Sequence, residues 1–374
     1  MNGFHEIFNS SNTCKPITNH IARRVGSDVQ RRINALKIGQ KMQDLPEELW
    51  HDSFKFYVKH DPNRQGGPNL RMIRLYPDQP SLTVTGYVFN KFVHPYENRF
   101  ITVREAARLQ GFPDNLQFEG TLTSTQLQVG NAVPLVLAKA VFEQVVHQAQ
   151  SIGLGNRSLK AFSLFSGAGG MDMGAESTGI NIRVSLDCWS DACATLRGFF
   201  RERVCVLEKD ITSIEDPLYL WQQSSDEIDT PDLIFGGPPC QAFSQAGKQR
   251  GVIDSRGSMI FEFLRFVECL NPPFFVMENV SNLKGVGGGS LYQQILENMN
   301  NLGYNVSVGL LLAADFGVPQ LRRRLFFLGC RKEIGSINLP QPTHSSELGL
   351  FRLKPYITVG EAFTNLPEAE FSQR

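Results

Sequence analysis

Between Lys160 and Cys330 the chain alternates short apolar runs with turns marked by glycine or proline and with helical stretches, and this alternation limits what it can fold into. KAFSLF (160–165), RVSLD (183–187), PDLIFGG (231–237), PPFFVMENV (272–280), YNVSVGLL (304–311) and RLFFLGC (324–330) each read as a strand; residues 203–210 hold a further candidate. Helix signals lie between several of these. Strands alternating with helices predict an α/β fold with a doubly wound, mostly parallel sheet.

The first 150 residues have a different texture. Residues 16–49 (IARRVGSDVQRRINALK and its surroundings) suggest a polar and basic helix ended by Gly39 and Pro46. HDPNRQGGPNL (60–70) reads as a loop, and SLTVT (81–85) as a short strand. TVREAARLQ (102–110) predicts a helix with Thr102 as N-cap and Glu105 completing a capping box. NAVPLVLAKAVFEQVVHQAQ (131–150) predicts a long helix with Pro134 near its start, where proline is tolerated. The expected organisation is a compact segment at 1–75, a second at 76–150, a linker at 151–159, and an α/β core at 160–374.

Lys plus Arg and Asp plus Glu are equal at 37 each, so a generic nucleic-acid coat is not indicated. The balance is local, however: residues 1–75 hold 12 Lys/Arg against 7 Asp/Glu, a surplus that suits a face meeting phosphates and equally suits a solvated helix. The seven cysteines are scattered and form no C-x-x-C, so neither a disulfide framework nor a metal site is expected. No apolar run approaches the ~20 residues of a membrane span. The N-terminal residues have no charged start followed by an apolar stretch, so no signal peptide and a cytoplasmic location are expected.

Four places carry candidate chemistry. Phe165 to Gly170 (FSGAGG) follows a predicted strand and precedes a helix, where glycines let backbone approach a ligand, and Asp187 ends the next strand, where a carboxylate can hold ribose hydroxyls. Asp172 stands where the last glycine of a dinucleotide pattern would be, so an adenosyl group fits better than NAD. Cys240 follows two prolines just past a strand, at the edge where open parallel sheets gather ligands; the competing reading is a buried core thiol. Glu278 ends the run PPFFVME, where a carboxylate costs desolvation unless it is hydrogen-bonded or functional. Arg322 and Arg324, two apart before the last strand, point to one face if the segment is extended, and could serve a phosphate or a base carbonyl.

Together these blocks resemble the cytosine-C5 DNA methyltransferases. FSGAGG is similar to the family's cofactor loop, PPCQ to its nucleophile block, ENV to its base-binding block, and QLRRR (320–324) to its Q-x-R-x-R block. DSRGSMIFEFLRF (254–266) is similar to the helix after the mobile catalytic loop. RLYPDQPSLTVTG (74–86), TVREAARLQGFPD (102–114) and QVGNAVP (128–134) resemble blocks that normally close the chain, so the order looks circularly permuted. The resemblance covers roughly residues 74–145 and 160–365.

The resemblance implies a bacterial modification enzyme of the restriction–modification kind. It would use S-adenosylmethionine on double-stranded DNA, with a companion subunit or restriction endonuclease as a possible partner. Cys240 would be the nucleophile, Glu278 would hold the ring N3 and amine, Arg324 the ring O2, and Arg322 would sit close by. Phe165, Gly167, Gly169, Asp187, Asp210, Ile211 and Asn131 would surround the cofactor. Gln241, Ser244 and Arg256 would contact DNA. A smaller target-recognition region would lie near the first residues, with Tyr57, Lys59, His60, Asn63 and Arg64 as candidates for groove contacts. Rival expectations are the same chemistry on tRNA, a non-catalytic DNA-binding relative, and a Rossmann oxidoreductase.

Overall fold

The computed structural model describes residues 17–52, 54–56, 72–86, 88–239, 259–347 and 353–372. They fall into two compact units. The first is drawn from the chain up to Asn131, from Gly317–Arg322 and from His344 onward; the second is Ala132–Phe316 with Arg323–Thr343. The long helix before the linker therefore groups with the sheet, whereas the final residues group with the first unit.

In the first unit, regular structure is sparse. Its helices of seven residues or more among the described residues are α1 (Ser27–Ala35), α2 (Val103–Leu109) and α3 (Leu122–Asn131), and a shorter one spans Val359–Phe363. Helix α2 begins as expected: Thr102 accepts from the Glu105 amide, and Glu105 accepts from the Thr102 amide. The described strands are only two residues long: Ile21–Ala22 pairs with Glu370–Phe371 and Ser81–Leu82 with Gln320–Leu321 across large sequence distances, while Ile73–Arg74 pairs with Phe92–Val93 and His344–Ser345 with Lys354–Pro355.

Two expectations shorten here. The helix expected over 16–49 is confined to α1, followed by brief turns at Met42–Asp44 and Glu47–Leu49. Leu36 turns to extended backbone and is buried, and the Arg74 guanidinium takes the carbonyls of Ile33 and Leu36 at the helix end. The strand expected at 81–85 stops at Leu82. The Val84 amide is taken by the Gln320 side chain and the Val84 carbonyl by Arg322, so neither is left for a ladder.

The second unit is built on one seven-stranded sheet. Its elements are helix α4 (Leu135–Ser151), then β1 (Lys160–Leu164), α5 (Gly170–Glu176), β2 (Asn181–Asp187), α6 (Ser190–Phe200), β3 (Cys205–Glu208), α7 (Pro217–Ser225), β4 (Leu233–Gly236), α8 (Met259–Leu270), β5 (Phe274–Val280), α9 (Ser290–Asn301), β6 (Tyr304–Leu312) and β7 (Arg323–Arg331). All seven predicted strands are present. The spatial order is β6-β7-β5-β4-β1-β2-β3, parallel except for β7, which runs antiparallel to both neighbours. This is the expected doubly wound sheet. One face is filled by Phe162, Trp221, Phe263, Phe266, Phe275 and Tyr304 among others, all essentially inaccessible.

The helix expected over 131–150 splits. Asn131 ends α3, and α4 starts after Pro134, because the residue before a proline disfavours helical backbone. Helix α4 then lies tightly on α5: a Cβ on Gly170 would stand 2.2 Å from the Val133 carbonyl oxygen, and one on Gly174 would stand 2.6 Å from the Ala138 Cβ. Among the described residues no single helix is long and apolar enough to cross a membrane.

Candidate active site

Strand register brings the candidate residues of the second unit to one edge. Leu164 of β1 lies opposite Gly236 of β4, Gly236 opposite Met277 of β5, and Leu164 opposite Leu186 of β2. The residues that follow each of these, Phe165, Gly237, Glu278 and Asp187, therefore stand side by side at the carboxyl ends of four neighbouring strands. With strands about 4.8 Å apart, Phe165 and Glu278 are separated by roughly 10 Å. That edge is where open α/β sheets place their ligands.

Glu278 is the most constrained of them. It is 8% exposed, and its Oε1 accepts from Arg324 Nε at 2.7 Å. Arg324 reaches it across the antiparallel pair, where it lies opposite Val280, two residues beyond Glu278. Burial lowers the Arg324 pKa, and the Glu278 carboxylate opposes that shift. The other oxygen, Oε2, faces Gly237: a Cβ there would come within 2.9 Å of it, so a side chain at 237 would displace the carboxyl. Asn279 adds a strut that sequence reasoning missed. Its Nδ2 donates to the Pro238 carbonyl at 3.0 Å, tying β5 to the prolyl turn that leads toward Cys240. Its place inside the ENV block was the available signal.

The glycine turn after β1 is held in strained backbone. Phe165 has φ +54°, a value that costs a non-glycine residue, and Gly167 has φ +53° with open space where a Cβ would project. Asp187 grips the turn: its Oδ2 accepts from the Gly167 amide and its Oδ1 from the Trp189 amide, both at 2.8 Å. Burial raises the Asp187 pKa, and the backbone amides of Trp189, Gly167 and Cys188 oppose the rise. Gly169 forms the left-handed N-cap of α5. Asp210 caps its own turn by accepting from the Thr212 amide, which lowers its pKa, and Ile211 beside it is buried.

Below the turn lies a second feature that sequence reasoning used only to exclude a dinucleotide pattern. Asp172, in the first turn of α5, has no exposed surface. Ser185 of β2 donates to its Oδ1 at 2.6 Å, while its Oδ2 has no hydrogen-bond partner. Ser163 of β1 shares a 2.8 Å hydrogen bond with Ser166 in the turn. Burial pushes the Asp172 carboxyl up to about 6.

Arg322 requires a correction. The expectation placed it beside Arg324 on one face, but the strand pairing breaks between them: Gln320–Leu321 pairs with Ser81–Leu82 in the first unit, and β7 begins at Arg323. The Arg322 side chain is fully buried in the first unit, donating to the carbonyls of Val84 and Gly130. Those bonds make it a brace for local backbone rather than a group presented to a substrate. Asn131 also falls in the first unit, exposed at the end of α3. Cys240, Gln241, Ser244 and Arg256, together with Tyr57, Lys59, His60, Asn63 and Arg64, lie outside the described residues.

The family model for C-5 cytosine-specific DNA methylases matches residues 6–147 and 159–370. Among curated proteins, the chain is 40% identical over 226 residues to the type II methyltransferase M.AquIA of Picosynechococcus sp., covering 56% of this chain and 90% of that protein. It is 39% identical over 213 residues to the type II methyltransferase M1.HphI of Haemophilus parahaemolyticus, covering 56% of this chain and 54% of the relative. It is 37% identical over 224 residues to the type II methyltransferase M.NgoFVII of Neisseria gonorrhoeae, covering 59% and 57%. The aligned stretch thus spans nearly all of the first relative and little more than half of the other two.

Proposed function

Because the chain belongs to the C-5 cytosine-specific DNA methylase family, we propose that it transfers a methyl group from S-adenosylmethionine to C5 of cytosine in double-stranded DNA, as the modification enzyme of a restriction–modification system. The observation that carries this reading is the Glu278–Arg324 pair, set at the carboxyl edge of the sheet beside the prolyl turn.

The target cytosine leaves the duplex to reach such an edge. The Cys240 thiolate forms a bond to C6, and the electron density pushed into the ring makes C5 nucleophilic. Glu278 would hold N3 and the exocyclic amine with its carboxyl as charge develops. Arg324 fixes one oxygen of that carboxyl, which leaves Oε2 toward the turn, and its remaining guanidinium donors serve the ring O2. After methylation, loss of the C5 proton and departure of the Cys240 sulfur restore the ring.

The residues of the glycine turn fit an adenosyl group. Open space at Gly167 admits a ligand against the backbone, and Asp187 is oriented by two amides at the end of β2. S-adenosylmethionine, when bound, supplies an electrophilic methyl group on its sulfonium. Phe165, Asp187, Asp210 and Ile211 would bind and orient it.

Duplex DNA carrying 5-fluorocytosine, which cannot lose its C5 substituent, tests the scheme. The chain incubated with it and S-adenosylmethionine is expected to form a covalent adduct that survives denaturation. Cys240→Ala is expected to form none, and Glu278→Gln to form it at least 100-fold more slowly, in line with loss of a transition-state contact. An adduct formed by Cys240→Ala refutes the nucleophile; methyl transfer to tRNA in preference to duplex DNA refutes the substrate class.

A further inference from the structure

The first unit contains a cavity of about 340 Å³ that plays no part in the chemistry above. Its volume is within the range of small-molecule and nucleotide pockets. The floor is apolar: Met42, Met72 and Phe100 belong to a buried cluster. The rim carries three arginines, Arg23, Arg24 and Arg32.

Each of these arginines is held by a neutral acceptor. Arg23 Nη1 donates to Asn90 Oδ1 at 2.9 Å, Arg24 Nε to the Ser372 carbonyl at 3.0 Å, and Arg32 Nε to the Leu49 carbonyl at 2.7 Å. A guanidinium has five donors, so most remain available on all three. No carboxylate among the described residues forms an ion pair with any of them, although the neighbouring Arg31 is paired with Asp28 at 2.6 Å. Three like charges without a carboxylate partner around one concavity give it a potential that favours an incoming anion.

We propose that this pocket takes a phosphodiester of the DNA strand with its attached deoxyribose, the phosphate against the three guanidiniums and the sugar against the apolar floor. A phosphate alone would leave the floor unused, and an apolar ligand would leave the cations unmatched. Neutral acceptors fix the guanidiniums in advance, so little side-chain freedom is lost on binding. The proposal rests on the reading that DNA is the substrate. It adds a positioning contact that carries no base information.

The test is the salt dependence of duplex binding by the full chain, read as fluorescence anisotropy between 50 and 300 mM KCl, all in order-of-magnitude terms of counterion release. Arg23→Ala/Arg24→Ala is expected to weaken binding of all duplex sequences to a similar degree, and to flatten the log–log slope by up to about 0.9, the contribution of one neutralised phosphate. Arg23→Lys/Arg24→Lys is expected to restore most of that slope, which a purely structural role would not do.

An unchanged slope in a folded alanine variant overturns the proposal, as does lost affinity at an unchanged slope. Binding of deoxythymidine 5′-phosphate that depends on these arginines, with the duplex slope unaffected, assigns the pocket to a free nucleotide and also overturns it. The 5-fluorocytosine adduct separates the two readings. A wild-type chain that forms the adduct while the alanine variant keeps its slope leaves the function standing and removes only the pocket. A wild-type chain that forms no adduct removes the function, and the slope then decides whether the pocket binds DNA at all.

Discussion

The two units solve the problem of buried backbone polar groups in opposite ways. In the sheet unit, seven strands satisfy each other, and the core beneath them is hydrocarbon. In the first unit, strands are two residues long, and buried arginines take over the work of a ladder. Arg74 donates to the carbonyls of Ile33, Leu36, His94 and Glu97 and to Asn98 Oδ1. Arg104 collects the carbonyls of Thr18, Pro113 and Leu116, and Arg108 those of Ala362 and Thr364 with the Asp114 carboxylate. A guanidinium reaches in several directions at once, so it can tie loops that no strand pairing could align. The lesson is that irregular chain can be buried if long polar side chains replace neighbouring backbone as partners.

The sharpest attempt to break this contrast is Arg74→Met. It keeps the unbranched apolar stem but removes the guanidinium, leaving three buried carbonyls and one partly buried carbonyl without that donor, a loss of about 5 kcal/mol or more at 1–3 kcal/mol each. Hydrogen exchange should show amides of the first unit losing protection. If Arg74→Met unfolds at the wild-type urea midpoint, arginine bracing is not what holds that unit. The matching change in the sheet unit is Phe275→Ala. Its ring packs on Tyr304, with centroids 5.0 Å apart, and fills the space left by Gly329. A loss of about 4 kcal/mol is expected from the cavity, read from chemical denaturation.

Asp172 is the exception inside the sheet unit, a buried carboxyl where hydrocarbon is the rule. Its folded pKa of about 6 stands above the ordinary 3.8. The native state therefore holds the proton more tightly than the unfolded chain. The associated stability is complete below the ordinary value and is lost as pH rises through about 6. The difference is up to about 3 kcal/mol. Urea midpoints across pH 4 to 8 should fall by that order in the wild type and much less in Asp172→Asn. The smallest effect is expected at Thr102→Ala, which removes a cap from α2 and costs about 1 kcal/mol of thermal or chemical stability.

The same contrast explains what could be read from the residues. Every strand of the sheet was legible, because apolar runs bounded by glycine and proline have few other uses, and the strand ends placed Phe165, Asp187 and Glu278 on one edge before any register was known. The α2 capping box was legible because it is local. The first unit was not. Nothing in the spacing of Arg74 says that it will end α1 by taking the carbonyls of Ile33 and Leu36, or that Arg322 will cross to Val84 and Gly130, since those partners lie 38 to 238 residues away in sequence. Arg322 and Arg324 looked alike in sequence and differ in the structure because the pairing partner changes between them. Asn279 was within the ENV motif and Asp172 was noted only for breaking a glycine pattern, but a strut and a buried carboxyl become visible only when strands are side by side.

The tight seat of α4 on α5 has a consequence for how such a fold can be encoded. Close contact of Gly174 with Ala138, and of Gly170 with Val133 just before the helix, seats α4, whereas the short stretch from Ile152 to Ser158 links it to β1 and is pinned by the Arg157–Asp232 ion pair. A protease nick there should leave the two fragments associated through gel filtration, and a gene rearranged so that this helix is translated last should yield the same sheet. Motif order along a reading frame is then a poor search key for proteins of this kind, and the set of motifs irrespective of order is a better one.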